Sequence, residues 1–141
     1  MRVVIDTNIW ISFLIGQTLT GLSVAIISER ITILFSEALF AELIEVLQRP
    51  KFKKYFSAAA IEELIALLYD KVEWVEITHH FEDCRDKKDN FMLDLSVSGA
   101  ADYLVTGDDD LLILNPFHGI EIVSYRTFQA AFLADLTVSK N

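Results

Sequence analysis

Short apolar runs recur along the chain and predict a set of buried strands. Four nearly continuous runs are Val3–Ile5, Ile31–Phe35, Tyr103–Val105 and Ile120–Val123, and a fifth segment, Val72–Ile77, alternates apolar and polar residues. Runs of this length, bounded by polar residues, are typical of strands buried on both faces of a parallel sheet.

The segments between these runs have the apolar spacing of helices. After Ser36, a residue suited to a helix N-cap, the i, i+3, i+4, i+7 positions are Phe40, Leu43, Ile44 and Leu47. After Ser57 the same spacing is filled by Ile61, Leu64, Ile65 and Leu68. Such stripes predict helices that pack one face against a core. Further helices are predicted from Ile9, over 19–29, over 90–100 and after Ser124, with a polar loop over 79–88 and a loose tail from Thr137.

Strands that alternate with helices predict a parallel sheet covered on both faces. We therefore expect an α/β protein, a three-layer α/β/α sandwich with a central, mostly parallel sheet of four to five strands and a Rossmann-like topology. The 141 residues contain no repeat or internal linker and suit a single domain over residues 1–141.

Composition narrows the class of protein. Half of the residues are hydrophobic (52%), which argues against disorder. No run reaches the roughly 18 apolar residues of a membrane-spanning helix, so no membrane association is expected. Asp6 interrupts the first apolar run too early for a secretory signal, which predicts a cytoplasmic protein. The one cysteine, Cys84, cannot form a disulfide within the chain and is too few for a cysteine-based zinc site.

Acidic residues follow the predicted strands at the points where ligands bind in parallel sheets. Asp6 ends the first strand, and Asp108 follows the strand Tyr103–Val105. Asp89 begins the helix before that strand, and Glu42 lies on the second turn of the helix after Ser36. Because parallel strands deliver their carboxyl ends to one edge of the sheet, these four acids are expected to converge there.

Clustered carboxylates repel and stay ionised only beside a compensating charge. Hard divalent cations prefer oxygen ligands, so the cluster predicts a site for one or two Mg²⁺ or Mn²⁺ ions. Single members also have structural explanations: Asp89 and Asp108 could be helix caps, and Glu42 could be a surface residue. Asp94 is about 140° from Asp89 around a helix and is expected to be a supporting residue at most.

The net charge of −9 argues against nonspecific binding of nucleic acid, but two local basic clusters stand beside the acids. One cluster follows the Glu42 helix, the other precedes Asp89, and their members are Arg49, Lys51, Lys53, Lys54, Arg85, Lys87 and Lys88. They are expected either to bind backbone phosphates of a nucleic-acid substrate or to be ordinary solvated residues.

Four segments taken together resemble the PIN domain family, and in particular its prokaryotic group of toxin components of toxin–antitoxin systems. The segments are VVIDTNIWIS, SEALFAELIEVLQRPKF, DKKDNFMLDLSVSGAADYLVTGDDDLL and ILNPFHGIEIVSYRTF, and they cover most of the chain in family order. Each is weak alone, whereas the IDTN opening with VTGDDDLL at the family's separation is specific.

The resemblance implies a Mg²⁺- or Mn²⁺-dependent endoribonuclease, with an RNA substrate and an antitoxin protein as a possible partner. It carries the acidic site onto Asp6, Glu42, Asp89 and Asp108, with Asp110 as an additional or alternative fourth acid. It also assigns Asn8 and Thr106 to the polar positions that orient the aspartates. Two departures stand out: Lys87-Lys88 replace the family's turn residues before Asp89, and Asp94 replaces a frequent glutamate.

Two other classes of function remain open at the level of sequence. The nearest enzyme is a phosphatase or phosphotransfer domain of similar topology, although the second aspartate that a haloacid-dehalogenase-type phosphatase needs is Asn8 here. The other is a catalytically silent module that binds a structural cation or an antitoxin. A homodimer face is also possible, since Trp10, Phe13 and Leu14 are apolar residues on an early helix that either pack in the core or are exposed.

Overall fold

The computed structural model describes residues 1–16 and 28–138 of the chain, which form one parallel sheet with helices around it. The strands are Arg2–Ile5 (β1), Thr32–Phe35 (β2), Glu73–Trp74 (β3), Tyr103–Val105 (β4) and Glu121–Val123 (β5). Their order across the sheet is β3-β2-β1-β4-β5, and every neighbouring pair is parallel. The predicted α/β/α architecture is confirmed, with β1 at the centre of the sheet.

Six helices connect and cover the strands within the described ranges: Thr7–Gly16 (α1), Glu37–Leu47 (α2), Ala58–Lys71 (α3), Asn90–Ser98 (α4), Asp109–Leu112 (α5) and Tyr125–Val138 (α6). Short 3-10 turns precede α3 and α4 at Pro50–Phe52 and Lys87–Asp89. Both predicted serine caps are confirmed, because the Oγ of Ser36 accepts the Leu39 N–H at 3.2 Å and that of Ser57 accepts the Ala60 N–H at 3.1 Å.

The core is centred on β1 and β4, whose residues Val3, Val4, Leu104 and Val105 are fully buried. The buried face of α2 differs from the predicted stripe: Leu39 and Val46 are buried with Leu43 and Leu47, whereas Phe40 and Ile44 are half-buried. The predicted stripe shares Leu43 and Leu47 with the buried face but misses Leu39 and Val46, because apolar residues cover more of α2 than a single face. Phe40 and Ile44 are therefore free to line a surface groove described below.

The strand predicted over Val72–Ile77 was too long, since β3 contains Glu73 and Trp74 alone. Beyond Val75, the main-chain N–H groups find side-chain acceptors instead of a neighbouring strand. Ser98 Oγ accepts from Thr78 and His79 at 3.0 and 3.1 Å, and Phe81 donates to Asp94 at 2.7 Å. The Val75 N–H still donates to the Phe35 carbonyl at 2.9 Å, whereas the later N–H groups donate to side chains and are not available to a neighbouring strand. The hydrogen bonds between β2 and this segment therefore stop after Val75.

The helix predicted over 90–100 ends at Ser98, and the chain turns at Ala100 with φ of 52°. Trp10 is fully buried and packs on Phe35 at 5.8 Å between ring centroids, so the core position is confirmed of the two alternatives for this residue. Phe13 and Leu14 are half-buried against the core.

Two sequence predictions concern residues at the limits of the description. Most of the helix predicted over 19–29 lies outside the described residues, and residues 28–30 form a coil and turn. The tail was predicted to be loose from Thr137, but α6 runs to Val138, and residues 139–141 lie outside the description. Among the described helices, none has the length and apolar character needed to cross a bilayer.

Candidate metal centre

Asp6 and Thr106 stand side by side because β1 and β4 pair in register. Ile5 is opposite Val105, so the residues that follow each strand leave the sheet together. The Asp6 N–H donates to the Val105 carbonyl at 2.9 Å, and Thr106 Oγ1 donates to Asp6 Oδ2 at 2.7 Å. The carboxylate of Asp6 is thus held at the carboxyl edge of the sheet, as the sequence predicts.

Thr106 also positions Asp108. Its hydroxyl oxygen accepts the Asp108 N–H at 3.1 Å, and Asp108 Oδ1 in turn accepts the Asp110 N–H at 2.9 Å. Asp108 is therefore the N-cap of the short helix α5, one of the structural roles foreseen for it. One hydroxyl group links the main chain of Asp108 to the side chain of Asp6, which fits the orienting role implied for Thr106.

Asp89 lies against Asp108. It occupies the residue before α4 but makes no side-chain cap bond, so capping does not explain it. The pKa of Asp89 is raised to about 7. Burial is the largest cause, and a hydrogen bond to Asp108 and the negative charges of Asp108, Asp86 and Asp6 also raise it. A carboxyl group that holds its proton near neutral pH marks a place where negative charge is concentrated.

Glu42 reaches the cluster from α2 through a residue that sequence reasoning missed. Thr7 Oγ1 donates to Glu42 Oε2 at 2.5 Å, and Thr7 is 3% exposed. The signal was available in the sequence, because Thr7 is a polar residue on the helical turn directly after Asp6, where a buried hydroxyl needs a partner.

The charges of Glu42 and Asp108 both act on Asp6. Burial raises the pKa of Asp6, the hydrogen bonds from Thr106 and the Asn8 N–H lower it, and the charges of Glu42 and Asp108 raise it again. The main-chain N–H is the contact that the structure shows for Asn8, whose side chain is exposed. Asp6 is thus in electrostatic contact with Glu42, Asp108 and Asp89.

The chemistry of this cluster fits a hard divalent cation. All four side chains offer carboxylate oxygens, and two of them have pKa values raised by burial and mutual repulsion. A bound cation would offset that repulsion. Across residues 1–16 and 28–138, however, no group of three or more acidic, histidine or cysteine side chains already stands in a coordinating arrangement.

Two other predicted acids have partners elsewhere. Asp110 forms a two-point ion pair with Arg85, at 2.8 Å from Nε to Oδ1 and 3.1 Å from the terminal nitrogen to Oδ2. This pair lowers the pKa of Asp110. Asp94 accepts the Phe81 N–H and lies 3.4 Å from His80 Nδ1, so the contacts that it makes hold the loop before α4.

The basic residues are exposed, and several already have partners. Arg49 pairs with Glu45 at 2.9 Å, and Lys88 lies 3.6 Å from Asp86. Two lysines lie over neighbouring rings, Lys51 at 5.0 Å from Phe52 and Lys54 at 5.1 Å from Tyr55. Four of the lysines follow the Glu42 helix or precede Asp89 in the sequence, and we refer to them as the four flanking lysines: Lys53, Lys54, Lys87 and Lys88.

Buried Cys84 anchors the second basic cluster beside the acids. Its N–H donates to Asn90 Oδ1 at 2.9 Å, and its thiol lies 3.7 Å from the Asp110 carbonyl. With the Arg85–Asp110 pair, these contacts fix Arg85, Lys87 and Lys88 next to Asp89.

Comparison with known proteins bears on the family and the fold of the chain. The sequence matches the family described as PIN domain over residues 2–110. No curated protein matches the sequence significantly. The structure of PAE2754 from Pyrobaculum aerophilum is similar with a TM-score of 0.61 and 16% identity, covering 95% of this chain and 90% of that one.

Two structures of PIN domains share the fold, with similar TM-scores to each other. The PIN domain endonuclease Utp24 has a TM-score of 0.51 and 20% identity, with 87% of this chain and 84% of that chain covered. The PIN domain of human SMG5 has a TM-score of 0.52 and 13% identity, with 94% and 99% covered. The family match spans most of the chain and the three structures share its fold, so the chain belongs to the PIN domain family.

Proposed function

We propose that the protein is a Mg²⁺- or Mn²⁺-dependent endoribonuclease whose ion is held by Asp6, Glu42, Asp89 and Asp108. The observation that carries the proposal is that Glu42, Asp89 and Asp108, from three other segments of the chain, are each in electrostatic contact with Asp6 at the carboxyl edge of the sheet. Membership of the PIN domain family supports a phosphodiester hydrolase.

When bound, a divalent ion supplies positive charge that promotes ionisation of water and stabilises a phosphoryl transition state. The protein's own groups prepare the site for it. Thr106 holds Asp6, and Thr7 holds Glu42, through one hydrogen bond each. Asp89 shares a hydrogen bond with Asp108 and holds a proton near pH 7, and that proton must leave when both carboxylates bind a cation. Metal affinity is therefore expected to fall as the pH is lowered through 7.

The RNA backbone would be attracted by the basic residues beside this edge. Lys87 and Lys88 precede Asp89 in the 3-10 turn, and Arg85 is held in the same segment by Asp110. Their positive charge offsets the repulsion between a polyanion and a chain of net charge −9 close to the site. Asp110 is already neutralised by Arg85, which favours Asp108 as the fourth acid of the set.

The biological role that we propose is that of the toxin of a toxin–antitoxin pair in the cytoplasm. It rests on the sequence's resemblance to that group of PIN domains, and a neighbouring small open reading frame for a binding partner would support it. A homodimer stays a prediction, and buried Trp10 does not belong to its surface. Sedimentation velocity of the purified chain tests it.

Cleavage of end-labelled single-stranded RNA with Mn²⁺ tests the proposed activity. We expect Asp6→Asn to lower the rate by about a hundredfold or more, because the ion's contribution to the transition state is several kcal/mol. The matched control is Asp109→Asn, which removes an exposed carboxylate beside the site and should cleave at the wild-type rate.

Other results of the same experiment identify the competing functions. Equal cleavage by wild-type protein and Asp6→Asn would contradict the proposal. Thermal stabilisation by Mn²⁺ without cleavage would indicate a silent cation-binding module. Trapping of an acyl phosphate on Asp6 would indicate a phosphotransfer enzyme.

A further inference from the structure

A groove unrelated to the acidic site runs between the first half of α2 and the edge strand β3. Its volume is about 930 Å³, near the upper end of the range for ligand sites. Both walls are continuous in sequence: one is the start of α2, and the other is β3 with the extended segment that follows it. The lining residues are Ser36, Glu37, Ala38, Phe40, Ala41, Ile44, Tyr69, Trp74, Val75, Glu76 and Ile77.

Three aromatic rings line the groove, those of Phe40 on α2, Tyr69 on α3 and Trp74 on β3. The centroid of Trp74 lies 5.1 Å from that of Phe40, at an interplanar angle of 78°, and 5.3 Å from that of Tyr69, at 52°. The indole Nε1 donates to the Tyr69 carbonyl at 3.4 Å, which limits rotation of the ring. Tyr69 and Trp74 are 61% and 37% exposed, so ring faces are open to a ligand. Such faces attract cations.

The charged residues that line the groove are both acidic. Glu37 and Glu76 are exposed, and within the described part of the chain neither forms a salt bridge. Glu37 also lies in the first turn of α2, where negative charge is favourable by itself. Two carboxylates would repel the phosphates of RNA, so the charge complementarity of the groove selects a cationic occupant and excludes the substrate proposed for the acidic site.

The shape of the groove favours a chain over a small molecule. Four consecutive residues, Trp74–Ile77, line it, and β3 is an edge strand that pairs with β2 alone among the described strands. An extended peptide laid along this edge can bond to main-chain groups of the strand and place alternate side chains in the groove. Edge strands are the usual template for such pairing.

We propose that this groove binds a basic, extended segment of a partner polypeptide, with an arginine or lysine side chain against the ring of Trp74 and between Glu37 and Glu76. This proposal does not depend on the nuclease activity, because the groove shares no residue with the acidic cluster. Loss of RNA cleavage and loss of peptide binding are therefore separable by mutation.

Selection from a library of random twelve-residue peptides, displayed on phage, tests the chemistry of the occupant against the full chain. We expect enrichment of sequences that combine arginine or lysine with apolar residues. A synthetic peptide from the enriched set should bind at least tenfold more weakly to Trp74→Ala and to the double variant Glu37→Gln/Glu76→Gln. The matched control is Glu62→Gln/Glu63→Gln, which removes two exposed carboxylates of α3 outside the groove and should bind as wild type does.

Three outcomes would overturn the proposal. One is selection of no peptides, or of peptides without basic residues; another is binding that the groove variants do not weaken. The third is prior occupation of the groove, by a segment of this chain or by a second copy. Subtracting the fluorescence of Trp74→Phe from that of wild type gives the emission of Trp74 without that of buried Trp10. If acrylamide does not quench the emission of Trp74, a segment of the chain or a second copy already covers the ring. A changed sedimentation coefficient of Trp74→Ala would indicate that a second copy fills the groove. A far-UV circular dichroism spectrum and a cooperative thermal transition like those of wild type show that Trp74→Ala is folded.

Discussion

Replacement of Asp89 by asparagine should stabilise the metal-free protein at pH 8, although it removes a residue of the proposed site. The folded protein raises the pKa of this carboxyl from 3.8 to about 7, chiefly by burial and by its contact with Asp108. A raised acid pKa stabilises the fold at low pH, and that contribution is lost as the pH rises from about 4 to about 7. At pH 8 the wild-type protein therefore carries a charge that the fold disfavours, and asparagine does not.

The size of the effect follows from the same values. A pKa difference between 3.8 and about 7 corresponds to about 4 kcal/mol at most. Asp89 is half-exposed, and solvent screening reduces this to about 1–2 kcal/mol. For a chain of this length, that is a rise in Tm of about 3–8 °C at pH 8 and almost none at pH 4.

Differential scanning calorimetry in EDTA between pH 4 and pH 8 measures the effect, with Asp109→Asn as the control for removal of an exposed charge. Saturating Mn²⁺ should reverse the order at pH 8, since an ion at a hundredfold excess over Kd stabilises the wild-type protein by about 2.7 kcal/mol. A Tm difference between Asp89→Asn and wild type that does not grow between pH 4 and pH 8 in EDTA, or an Asp89→Asn variant that is less stable at pH 8, would refute the reasoning.

Three further predictions concern single contacts around the site. Thr7→Val removes the hydroxyl that holds Glu42 and should lower the cleavage rate about tenfold with little change in KM, measured by steady-state kinetics. Asp108→Asn should abolish cleavage whereas Asp110→Asn retains most of it, because Arg85 already pairs with Asp110; equal loss in the two variants would show that both acids bind the ion. Alanine at the four flanking lysines should weaken RNA binding and reduce its salt dependence in a filter-binding titration, and an unchanged salt slope would remove them from the substrate path.

The sheet could be predicted well because its central strands are defined by burial. Val3–Ile5 and Tyr103–Val105 are short apolar runs whose neighbours on both sides are also strands, so pattern and structure coincide. Glu73–Trp74 is the opposite case. It lies at an edge with one neighbour, and whether the strand continues depends on Ser98 and Asp94, which are distant in sequence.

For the acidic site, the position of the carboxylates could be predicted from the sequence, whereas their side-chain partners could not. The topology of a parallel sheet brings Asp6 and Asp108 to one edge, and this could be inferred from their positions after two strands. The partner of each carboxylate could not, because it depends on side-chain directions. The pairing of Arg85 with Asp110 could not be inferred from the sequence, and Thr7 was passed over although it holds Glu42.

The central claim is that the carboxylates at the edge of the sheet hold a divalent ion. Anomalous diffraction at the manganese edge, from crystals of the full chain soaked in Mn²⁺, tests it most directly. The account predicts an anomalous peak within bonding distance of carboxylate oxygens of Asp6 and Asp108, and no peak at that place in crystals of Asp6→Asn. Saturating Mn²⁺ without a peak there, or a peak held by other residues, would contradict it.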